Sequence, residues 1–481
     1  MSQARNYRNN TRPHAPLSET DLRKVVDAIF HVMRETGVKF DPDPWVLDTF
    51  SDGGCDVSSK GIVKFPTDLV RGSIDSAAKS VRMWNRPGTD FIEFSPRHSA
   101  FMANYLHQVV DTETGERRSC TREDLARYSR VVEALPDFDG VAGPFKIAEN
   151  PDISGEIEGF AVMAAHTTKP VETSFGAPLC LQAAIEMAAA IRGGSERLRE
   201  KPYFAVSITQ LPLYYAKYHT DQIRMAVESG IPVGVGGGSI GGASTPITIA
   251  GNIVNCFATD FAALVLTQLL RKGAFCMVGF TVVFMDPTTG NLGAINESTL
   301  AEMVKYQIGE HFGLPIHNAN AGLNMGKQFN QEAVLGAAVT MTAGIFSQPA
   351  CCIYSGSLDA TAAYSLHALL LCHELIGMAR RFWRGIRVDD ETLALDVTHK
   401  VGPGGDFLGE MHTAVHCRKE ISKIRYFASK TFEAWEQEGR KDLEDIIDQD
   451  LQRILAAPKP EPLPASVQEQ LDVIVRKYRS A

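Results

Sequence analysis

The residues that first suggest chemistry form a glycine-rich stretch over residues 231–251, IPVGVGGGSIGGASTPITIAG. Within it, Gly236, Gly238 and Gly241 satisfy the pattern G-x-G-x-x-G, which in dinucleotide-binding proteins follows a strand and opens a helix. Such glycines let the backbone approach a pyrophosphate closely. Taken on its own, the pattern predicts a nucleotide site.

The context of the pattern argues against a nucleotide. A dinucleotide site needs an acidic residue about 20 residues later, at the end of the next strand. Asp260 has nearly that spacing, but the apolar pattern predicts a helix over residues 245–271, with Thr245 as its cap and Pro246 in its first turn. A side chain inside a helix cannot lie at a strand end, so we do not assign a nucleotide site.

Histidine and cysteine offer a second kind of chemistry. His412 and His416 are four residues apart, a spacing that suits a metal ion bound on one face of a helix. Cys351 and Cys352 are adjacent, and adjacent strand residues point to opposite faces, so both thiols cannot enter one site. The sequence lacks H-E-x-x-H. These patterns favour hydrogen-bonded structural histidines and indicate no nucleophilic triad.

Aromatic residues occur at or just beyond the ends of several predicted strands. A ring of aromatic faces with few carboxylates suits a quaternary ammonium ion, because the faces attract a cation that has no hydrogen to donate. Packing in the core is the alternative for each ring taken singly. The residues predicted to surround such a cation are Tyr105, Phe145, Phe175, Phe284 and Tyr354.

Composition narrows the class of protein. The 481 residues carry a net charge of -9, with 44% hydrophobic and 22% charged residues, so nucleic acid and anionic membranes are poor partners. The nine cysteines are odd in number and form no C-x-x-C, which indicates reduced thiols. The N-terminal stretch is polar and no long apolar run stands out. We therefore expect a cytoplasmic protein.

The spacing of apolar residues predicts the strands and helices that position these residues. Eight short apolar runs alternate with longer helical patterns over about residues 99–355, which predicts eight parallel strands and a (β/α)8 TIM barrel. We assign the glycine-rich loop to the carboxyl end of the fourth strand, the face of a barrel that carries active sites. Its glycines either admit a ligand or only allow positive φ.

Helical patterns flank the barrel on both sides, so the fold class is α/β with N-terminal and C-terminal helical extensions. The predicted regions are an N-terminal arm and helical region at residues 1–98, the barrel at 99–357 and a C-terminal helical region at 358–481.

Five stretches resemble the trimethylamine methyltransferase superfamily, colinearly from about residue 20 to 478. They cover residues 37–57, 109–143, 232–274, 284–315 and 374–420, and include "PVGVGGGSIGGASTP", "FMDPTTGNLGAINES" and "GPGGDFLGEMHTAVHCR". The resemblance implies a barrel enzyme that moves a methyl group from a quaternary or N-methylated amine, such as glycine betaine, to the cobalt of a corrinoid (cobalamin) on a partner protein. It also favours a homo-oligomer and a role other than metal binding for His412 and His416.

The methyl transfer that the resemblance implies needs no metal bound to this chain, because the corrinoid cobalt is itself the nucleophile. Small residues would leave the barrel mouth open to the corrin, and the predicted approach loop comprises Gly236, Gly237, Gly238, Ser239, Gly241 and Gly242.

One departure from the family concerns the region that we place after strand 6. Trimethylamine enzymes of the family carry pyrrolysine there, whereas this chain has ordinary residues, so it resembles a pyrrolysine-lacking, glycine betaine methyltransferase-like member. Trimethylamine is therefore disfavoured as substrate. His317, Asn318 and Asn320 are candidate substrate ligands, and turn chemistry is the alternative for the asparagines.

Two further classes stay open from the sequence. One is a barrel enzyme of another reaction type, metal-assisted through His317, His416 and a cysteine. The other is a non-catalytic protein that binds a betaine-like ligand.

Overall fold

The structure is a computed structural model of the chain. It describes residues 13–96, 98–111, 114–150, 152–293, 295–317, 319–347, 349–422, 424–426, 430–457 and 461–479, with the backbone alone at residue 319.

The N-terminal extension is helical, as predicted, and it also contains short strands. Ser18 accepts a hydrogen bond from the Asp21 N–H and so caps the first helix. The elements in chain order are α1 (Glu19–His31), a π-helical turn (Val32–Thr36), β1 (Val38–Phe40), α2 (Pro44–Asp52), β2 (Asp56–Val57), β3 (Ile62–Lys64), α3 (Thr67–Ser76), β4 (Val81–Trp84) and β5 (Phe91–Phe94).

The central region alternates strands with helices. Its elements are β6 (Ala100–Asn104), β7 (Gln108–Val110), β8 (Arg117–Ser119), α4 (Arg122–Ala134), β9 (Gly140–Ala142), α5 (Ile153–His166), β10 (Val171–Thr173), α6 (Pro178–Arg192), α7 (Ser195–Glu200), β11 (Phe204–Ile208), β12 (Tyr214–Tyr215), α8 (Lys217–Ser229), β13 (Val233–Val235), β14 (Gly238–Gly241), α9 (Ile249–Leu270), β15 (Cys276–Val278), β16 (Thr281–Met285), β17 (Leu292–Gly293), α10 (Ile295–Phe312), β18 (Ala319–Asn320), α11 (Gln331–Phe346), β19 (Cys351–Ser355), β20 (Ser357–Leu358) and β21 (Ala363–Tyr364).

Eight of these strands form a parallel barrel. Their order around the ring is β6, β9, β10, β11, β13, β15, β18 and β19, and β19 pairs again with β6. The ring closes between β15 and the chain leading into β18, where Val278 bridges Ile316 in parallel and the His317 N–H donates to the Val278 carbonyl at 2.9 Å. The predicted (β/α)8 barrel is confirmed.

The order of the strands corrects one assignment. The strand before the glycine-rich loop, β13, is the fifth of the barrel and not the fourth, and the segment at residues 321–331, which leads into α11, follows the seventh strand, not the sixth. The placement of both segments at carboxyl ends of strands is unaffected.

The interior of the barrel is apolar at its amino-terminal end. Met102 of the first strand and Met277 of the sixth pack there with Cys351 of the eighth. Met83 of β4 and Phe94 of β5 join this cluster, so the N-terminal hairpin covers the floor of the barrel. Cys352 packs instead in the layer outside the strands, as the alternation of strand side chains requires.

Two small sheets rise from the carboxyl ends of the barrel strands and surround the mouth. One contains β14, β16 and β17 and follows directly from β13 and β15. The other contains β20, β21, β7 and β8 and follows from β19 and β6. The mouth is therefore walled on two sides.

Helix α9 is long and apolar enough to cross a membrane by composition, but 83% of its most apolar window is buried inside the protein. It packs against α1, α3 and β15, as a core helix of the barrel does.

The C-terminal region is helical, as predicted. Its helices are α12 (Leu366–Arg384), α13 (Asp390–Leu393), α14 (Leu395–Val401), α15 (Met411–Glu420), α16 (Phe432–Gln437), α17 (Leu443–Ala456) and α18 (Ala465–Arg479). Helix α18 packs against α5 and α6, and α17 packs against α4 and α12.

Substitutions at two helical glycines test how closely α5 packs on the loop that follows the second barrel strand. A Cβ at Gly159 would lie 1.5 Å from the Phe145 carbonyl oxygen, so Gly159→Ala should lower the free energy of unfolding by about 2 kcal/mol or more. Gly72 in α3 has open space, and Gly72→Ala should raise it by about 0.5–1 kcal/mol. Urea denaturation, monitored by circular dichroism, measures the free energy of unfolding of both variants. Equal changes in the two would contradict the close packing at Gly159.

Candidate active site in the barrel

A buried carboxylate and an imidazole meet inside the barrel. Glu172 lies in the third strand and His317 precedes the seventh, on opposite sides of the ring. The Nε2 atom of His317 is 3.2 Å from the Glu172 Oε1 atom, and both side chains are buried. A carboxylate oxygen accepts hydrogen bonds, so His317 donates from Nε2, and its buried Nδ1 atom has no hydrogen-bond partner among the described residues.

Small neighbours make room for this pair. Glu172 has Ala142 and Ala205 as its partners on the adjacent strands. A Cβ at Gly234 would lie 3.1 Å from the Cε1 atom of His317, so glycine at this position lets the imidazole lie against the strand.

Two buried amides lie near the same layer. Asn104 is paired with Ala142, the neighbour of Glu172, one interior layer above Met102. Asn320 is paired with Ile353, an interior residue. Among the described residues, neither the Nδ2 atom of Asn104 nor the two polar side-chain atoms of Asn320 has a hydrogen-bond partner. Buried polar atoms of this kind are usually satisfied by water or a ligand.

Tyr354 connects the barrel to the wall of the mouth. Its hydroxyl and the Thr281 Oγ1 atom are 2.7 Å apart, which joins the eighth strand to β16. Burial of that hydroxyl raises the pKa of Tyr354 above its ordinary value, so the residue is a neutral phenol. Tyr354 also has a φ of +72°, an uncommon backbone conformation for a bulky residue.

The five aromatic residues predicted as a cage fall into three groups. Tyr105 and Phe145 are 6.1 Å apart between ring centres, and Tyr105 also contacts Tyr364. Phe175 packs against other rings, those of Phe160 and Phe204. Phe284 belongs to β16 in the wall of the mouth, and the Tyr354 hydroxyl contacts Thr281 of the same strand. The five residues therefore do not form one continuous set of ring contacts. Of the other predicted substrate ligands, Asn318 lies outside the described residues.

The glycine-rich loop combines close packing with open space. Cβ atoms at Gly237 and Gly241 would lie 1.6 Å from the Gln210 carbonyl oxygen and 2.2 Å from the Phe284 ring. Gly242 has a φ of +92°, whereas a Cβ at the exposed Gly238 would meet nothing within 4 Å. Positive φ thus explains glycine at Gly242 and close packing explains it at Gly237 and Gly241, whereas Gly238 has open space beside it.

Buried hydrogen bonds hold the rest of that loop. The Gly236 N–H donates to the Ile208 carbonyl, and the Ser239 hydroxyl donates to Asn252 of α9.

The structure supports the rejection of a nucleotide site. Asp260 lies in the middle of α9, where its Oδ1 accepts from Gln210 Nε2 at 2.8 Å and its Oδ2 accepts from the Gly279 N–H at 3.0 Å. Burial raises the pKa of this carboxyl well above its ordinary value. Asp260 therefore fastens α9 to the barrel strands and is not free to bind a ribose.

The histidines considered as metal ligands lie in two different parts of the fold. His412 and His416 lie on α15, with ring centres 4.3 Å apart, and the Nε2 atom of each contacts Glu391. His317 is inside the barrel instead. In the part of the chain that the structure describes, no three His, Cys, Asp or Glu side chains are grouped to hold a metal ion.

Sequence reasoning missed Glu172, Asn104 and Thr281. The available signal for Glu172 was an acidic residue within the otherwise apolar strand that begins VETSFGAP. A charge in a fully buried strand is rare unless it is paired or functional.

The comparisons with known proteins decide the family. The family model described as trimethylamine methyltransferase (MTTB) matches residues 1–481. The chain belongs to this family. The resemblance stated from the sequence, and with it the assignment as a corrinoid-dependent amine methyltransferase, is confirmed at the level of the family.

Individual relatives cover most of the chain. Trimethylamine methyltransferase MttB of Desulfitobacterium hafniense (strain DSM 10664 / DCB-2) is 29% identical, over 96% of this chain and 94% of the relative. Glycine betaine methyltransferase of D. hafniense (strain Y51) is 23% identical, over 88% of each chain. Proline betaine:corrinoid methyltransferase of Eubacterium limosum is 24% identical, over 82% of this chain and 83% of the relative.

One solved structure supports the fold. Monomethylamine methyltransferase (MtmB) of Methanosarcina barkeri aligns with a TM-score of 0.53 and 10% identity, covering 97% of this chain and 88% of that chain. The low identity means that the alignment speaks for the barrel fold alone.

The link between Tyr354 and Thr281 can be tested through stability. Tyr354→Phe removes a buried hydroxyl and leaves Thr281 without this partner, so the free energy of unfolding should fall by about 1 kcal/mol. Tyr218→Phe is the control, because Tyr218 is exposed and its loss of a hydroxyl should change nothing measurable. Equal stability of both variants in urea denaturation would show that the hydroxyl does not brace the mouth.

Proposed function

We propose that the protein transfers a methyl group from a quaternary or N-methylated amine, of the glycine betaine kind, to the cobalt of a corrinoid carried by a partner protein. Family membership supports methyl transfer, and two of the relatives above are named for betaines. The absence of pyrrolysine from the sequence argues against trimethylamine. We propose the cytoplasm as its location.

The observation that carries this proposal is the charge inside the barrel. Glu172 is buried, and the one basic side chain that contacts it among the described residues is His317, whose imidazole carries a charge only when it is protonated; no lysine or arginine pairs with it. Removing a carboxylate from water is unfavourable unless a positive charge accompanies it. A cationic substrate at the barrel axis would supply that charge.

The side chains around Glu172 suit an ammonium that bears methyl groups. The residues paired with Glu172 on the two adjacent strands are alanines, so only small side chains would lie beside the carboxylate and the methyl groups of a substrate. The buried amides of Asn104 and Asn320 would bind polar groups elsewhere on the substrate. Phe284 and Tyr354 at the mouth would face the methyl that is transferred. Tyr105, Phe145 and Phe175 pack against other rings, and we propose a supporting role for them around the site at Glu172.

The bonding changes in this reaction balance without an acid or base on the protein. The carbon–nitrogen bond breaks, its electron pair stays on nitrogen, and a quaternary ammonium leaves as a neutral tertiary amine. The corrinoid of the partner, when bound, supplies the electron pair that takes up the methyl group. The residues of this chain position the cation, exclude water and leave one methyl pointing to the mouth.

The loop at residues 236–242 would border the approach of the corrin. Gly238 is the exposed position with open space around it, whereas Gly237 and Gly241 are enclosed. A planar ring system could therefore lie over Gly238 without a side chain between it and the barrel. The remaining loop residues hold the shape of this border.

The other two classes left open by the sequence receive less support. A metal-assisted site on His317, His416 and a cysteine is disfavoured because the two histidines lie in different parts of the fold and contact different carboxylates. A non-catalytic betaine-binding protein would share the chamber, so only an assay of methyl transfer separates it from the enzyme.

An assay of methyl transfer tests both the proposed function and the role of Gly238 at the mouth. Purified protein is mixed with a reduced corrinoid protein and glycine betaine, and the corrinoid absorption spectrum is followed. We expect methyl transfer by the native chain and at least a tenfold loss of rate in Gly238→Trp, because the indole would hold the corrin away from the substrate.

Gly72→Trp is the matched control, since Gly72 also has open space but lies on α3 of the N-terminal region. The control should keep the native rate. No transfer from any N-methyl compound by the native protein would refute the proposed function, and a native rate in Gly238→Trp would refute the place of the corrin.

Binding of a cation can be measured without the partner. Glu172→Gln keeps the shape of the side chain and removes its charge, so the dissociation constant for tetramethylammonium should rise by about tenfold or more. Isothermal titration calorimetry measures it. Glu332→Gln removes the same charge from an exposed position of α11 and should leave binding unchanged. Native affinity in Glu172→Gln would exclude this carboxylate from the site.

A further inference from the structure

The charge of Glu172 limits what else a substrate can carry. In the proposed reaction one ammonium binds beside this one carboxylate, so the two charges balance. A substrate that also carries a carboxylate, as a betaine does, brings a second negative charge into the barrel. Burying that charge is unfavourable unless a basic side chain pairs with it. The basic groups near the interior therefore decide whether a substrate carboxylate is accommodated.

His317 does not supply the missing charge while a cation is bound. A protonated imidazole 3.2 Å from Glu172 would neutralise that carboxylate, and the site would no longer attract an ammonium. A bound cation therefore favours the neutral imidazole, with its hydrogen on Nε2 facing Glu172. In this state His317 has no positive charge to pair with a substrate carboxylate.

The buried lysine and arginine side chains are bound elsewhere. Among the described residues four of them are buried, and each has partners of its own. Lys305 pairs with Glu302 at 2.7 Å, and Arg380 pairs with two aspartates. Arg86 and Arg192 donate to backbone carbonyl oxygens. None of the four is paired with Glu172 or with the buried amides near it.

Basic side chains in the wall of the mouth also have acidic partners. Arg117 of β8 and Lys327 both pair with Asp359, which directly follows β20. Arg118 pairs with Asp124 at 2.6 Å. A substrate carboxylate would have to compete with these aspartates for the same positive charges.

The floor of the barrel offers no place for a charged group either. Met102 and Met277 pack there with Cys351. Burial raises the pKa of the Cys351 thiol well above its ordinary value, so this side chain is uncharged. The methyl that is transferred must face the mouth, so the polar end of a substrate is left with the wall of the barrel, where Asn104 and Asn320 lie.

The unpaired polar atoms in this wall are neutral, and one of them accepts only. The Nδ1 atom of a neutral His317 carries a lone pair and no hydrogen, so it needs a donor. Asn104 has an unpaired Nδ2 donor, and Asn320 has both a donor and an acceptor unpaired among the described residues. A hydroxyl or a carboxamide can donate and accept, whereas a carboxylate can only accept. The set therefore matches a neutral polar group that carries a hydrogen.

We propose that the substrate is a quaternary ammonium compound whose other end is a neutral hydroxyl or carboxamide, and that Glu172 makes the site discriminate against a substrate carboxylate. The inference rests on the proposed function and narrows its substrate class. Glycine betaine is then a weaker ligand than an uncharged compound of the same shape.

A matched pair of ligands tests this proposal on the native protein. Glycine betaine and its amide have nearly the same shape, and only the former carries a carboxylate. Isothermal titration calorimetry should give a dissociation constant about tenfold or more lower for the amide, because Glu172 repels the second carboxylate. In Glu172→Gln the ratio of the two constants should fall by roughly the same factor, since the repulsion is removed. Glu332→Gln, at an exposed position, should keep the native ratio.

The wall that binds the polar end can be tested separately. Asn320→Leu keeps the size of the side chain and removes its amide, so the dissociation constant for the amide ligand should rise by about fivefold. Tetramethylammonium is the control ligand, because it has no polar end and should bind this variant as it binds the native protein. Circular dichroism checks that each variant is folded.

The outcomes separate this inference from the function on which it rests. Native protein that binds glycine betaine as tightly as the amide, or more tightly, would overturn the inference and leave methyl transfer standing. A native ratio in Glu172→Gln would remove this carboxylate as the cause of the discrimination and overturn the inference in the same way. Failure to bind any of the three ligands would overturn the proposed function as well.

Discussion

Closure of the barrel is the constraint on which the site depends. In the closed ring the third and seventh strands face each other, and only then can Glu172 and His317 form a hydrogen bond across the axis. The contact that closes the ring, between Val278 and Ile316, is adjacent in sequence to His317. The same few residues therefore complete the sheet and deliver the imidazole. Active-site geometry and fold cannot be separated at this point of the chain.

Much of the fold could be predicted because its signals are local. Eight apolar runs alternating with helical patterns are sufficient for a parallel barrel, and Asp260 could be placed in a helix from the periodicity around it. The small strands of the N-terminal region were not predicted, since β2 and β3 are only two and three residues long, and β1 pairs with β12, which is remote in the sequence. The ordinal of the glycine-rich strand was wrong by one, although its place at a carboxyl end was right.

The site was less predictable because it is assembled from distant strands. Aromatic residues at strand ends seemed suited to one cage, but contacts with Tyr364, Phe160 and Phe204, which no local pattern reveals, divide them into groups. Glu172 went unnoticed because a single acidic residue in a strand gives no indication of what faces it across the ring. Whether Gly237 and Gly238 are enclosed or open is likewise decided by neighbours remote in sequence.

The hairpin of β4 and β5 closes the amino-terminal end of the barrel with Met83 and Phe94. Among the described residues, that end of the interior is therefore covered, and the carboxyl-terminal mouth is the side from which the proposed substrate would enter. For the proposed reaction this would set an order of events: the amine would enter before the partner covers the mouth, and the demethylated product would leave after the partner has departed. Turnover would then be limited by the lifetime of the protein–protein complex as much as by chemistry, and a more tightly bound partner would slow the cycle.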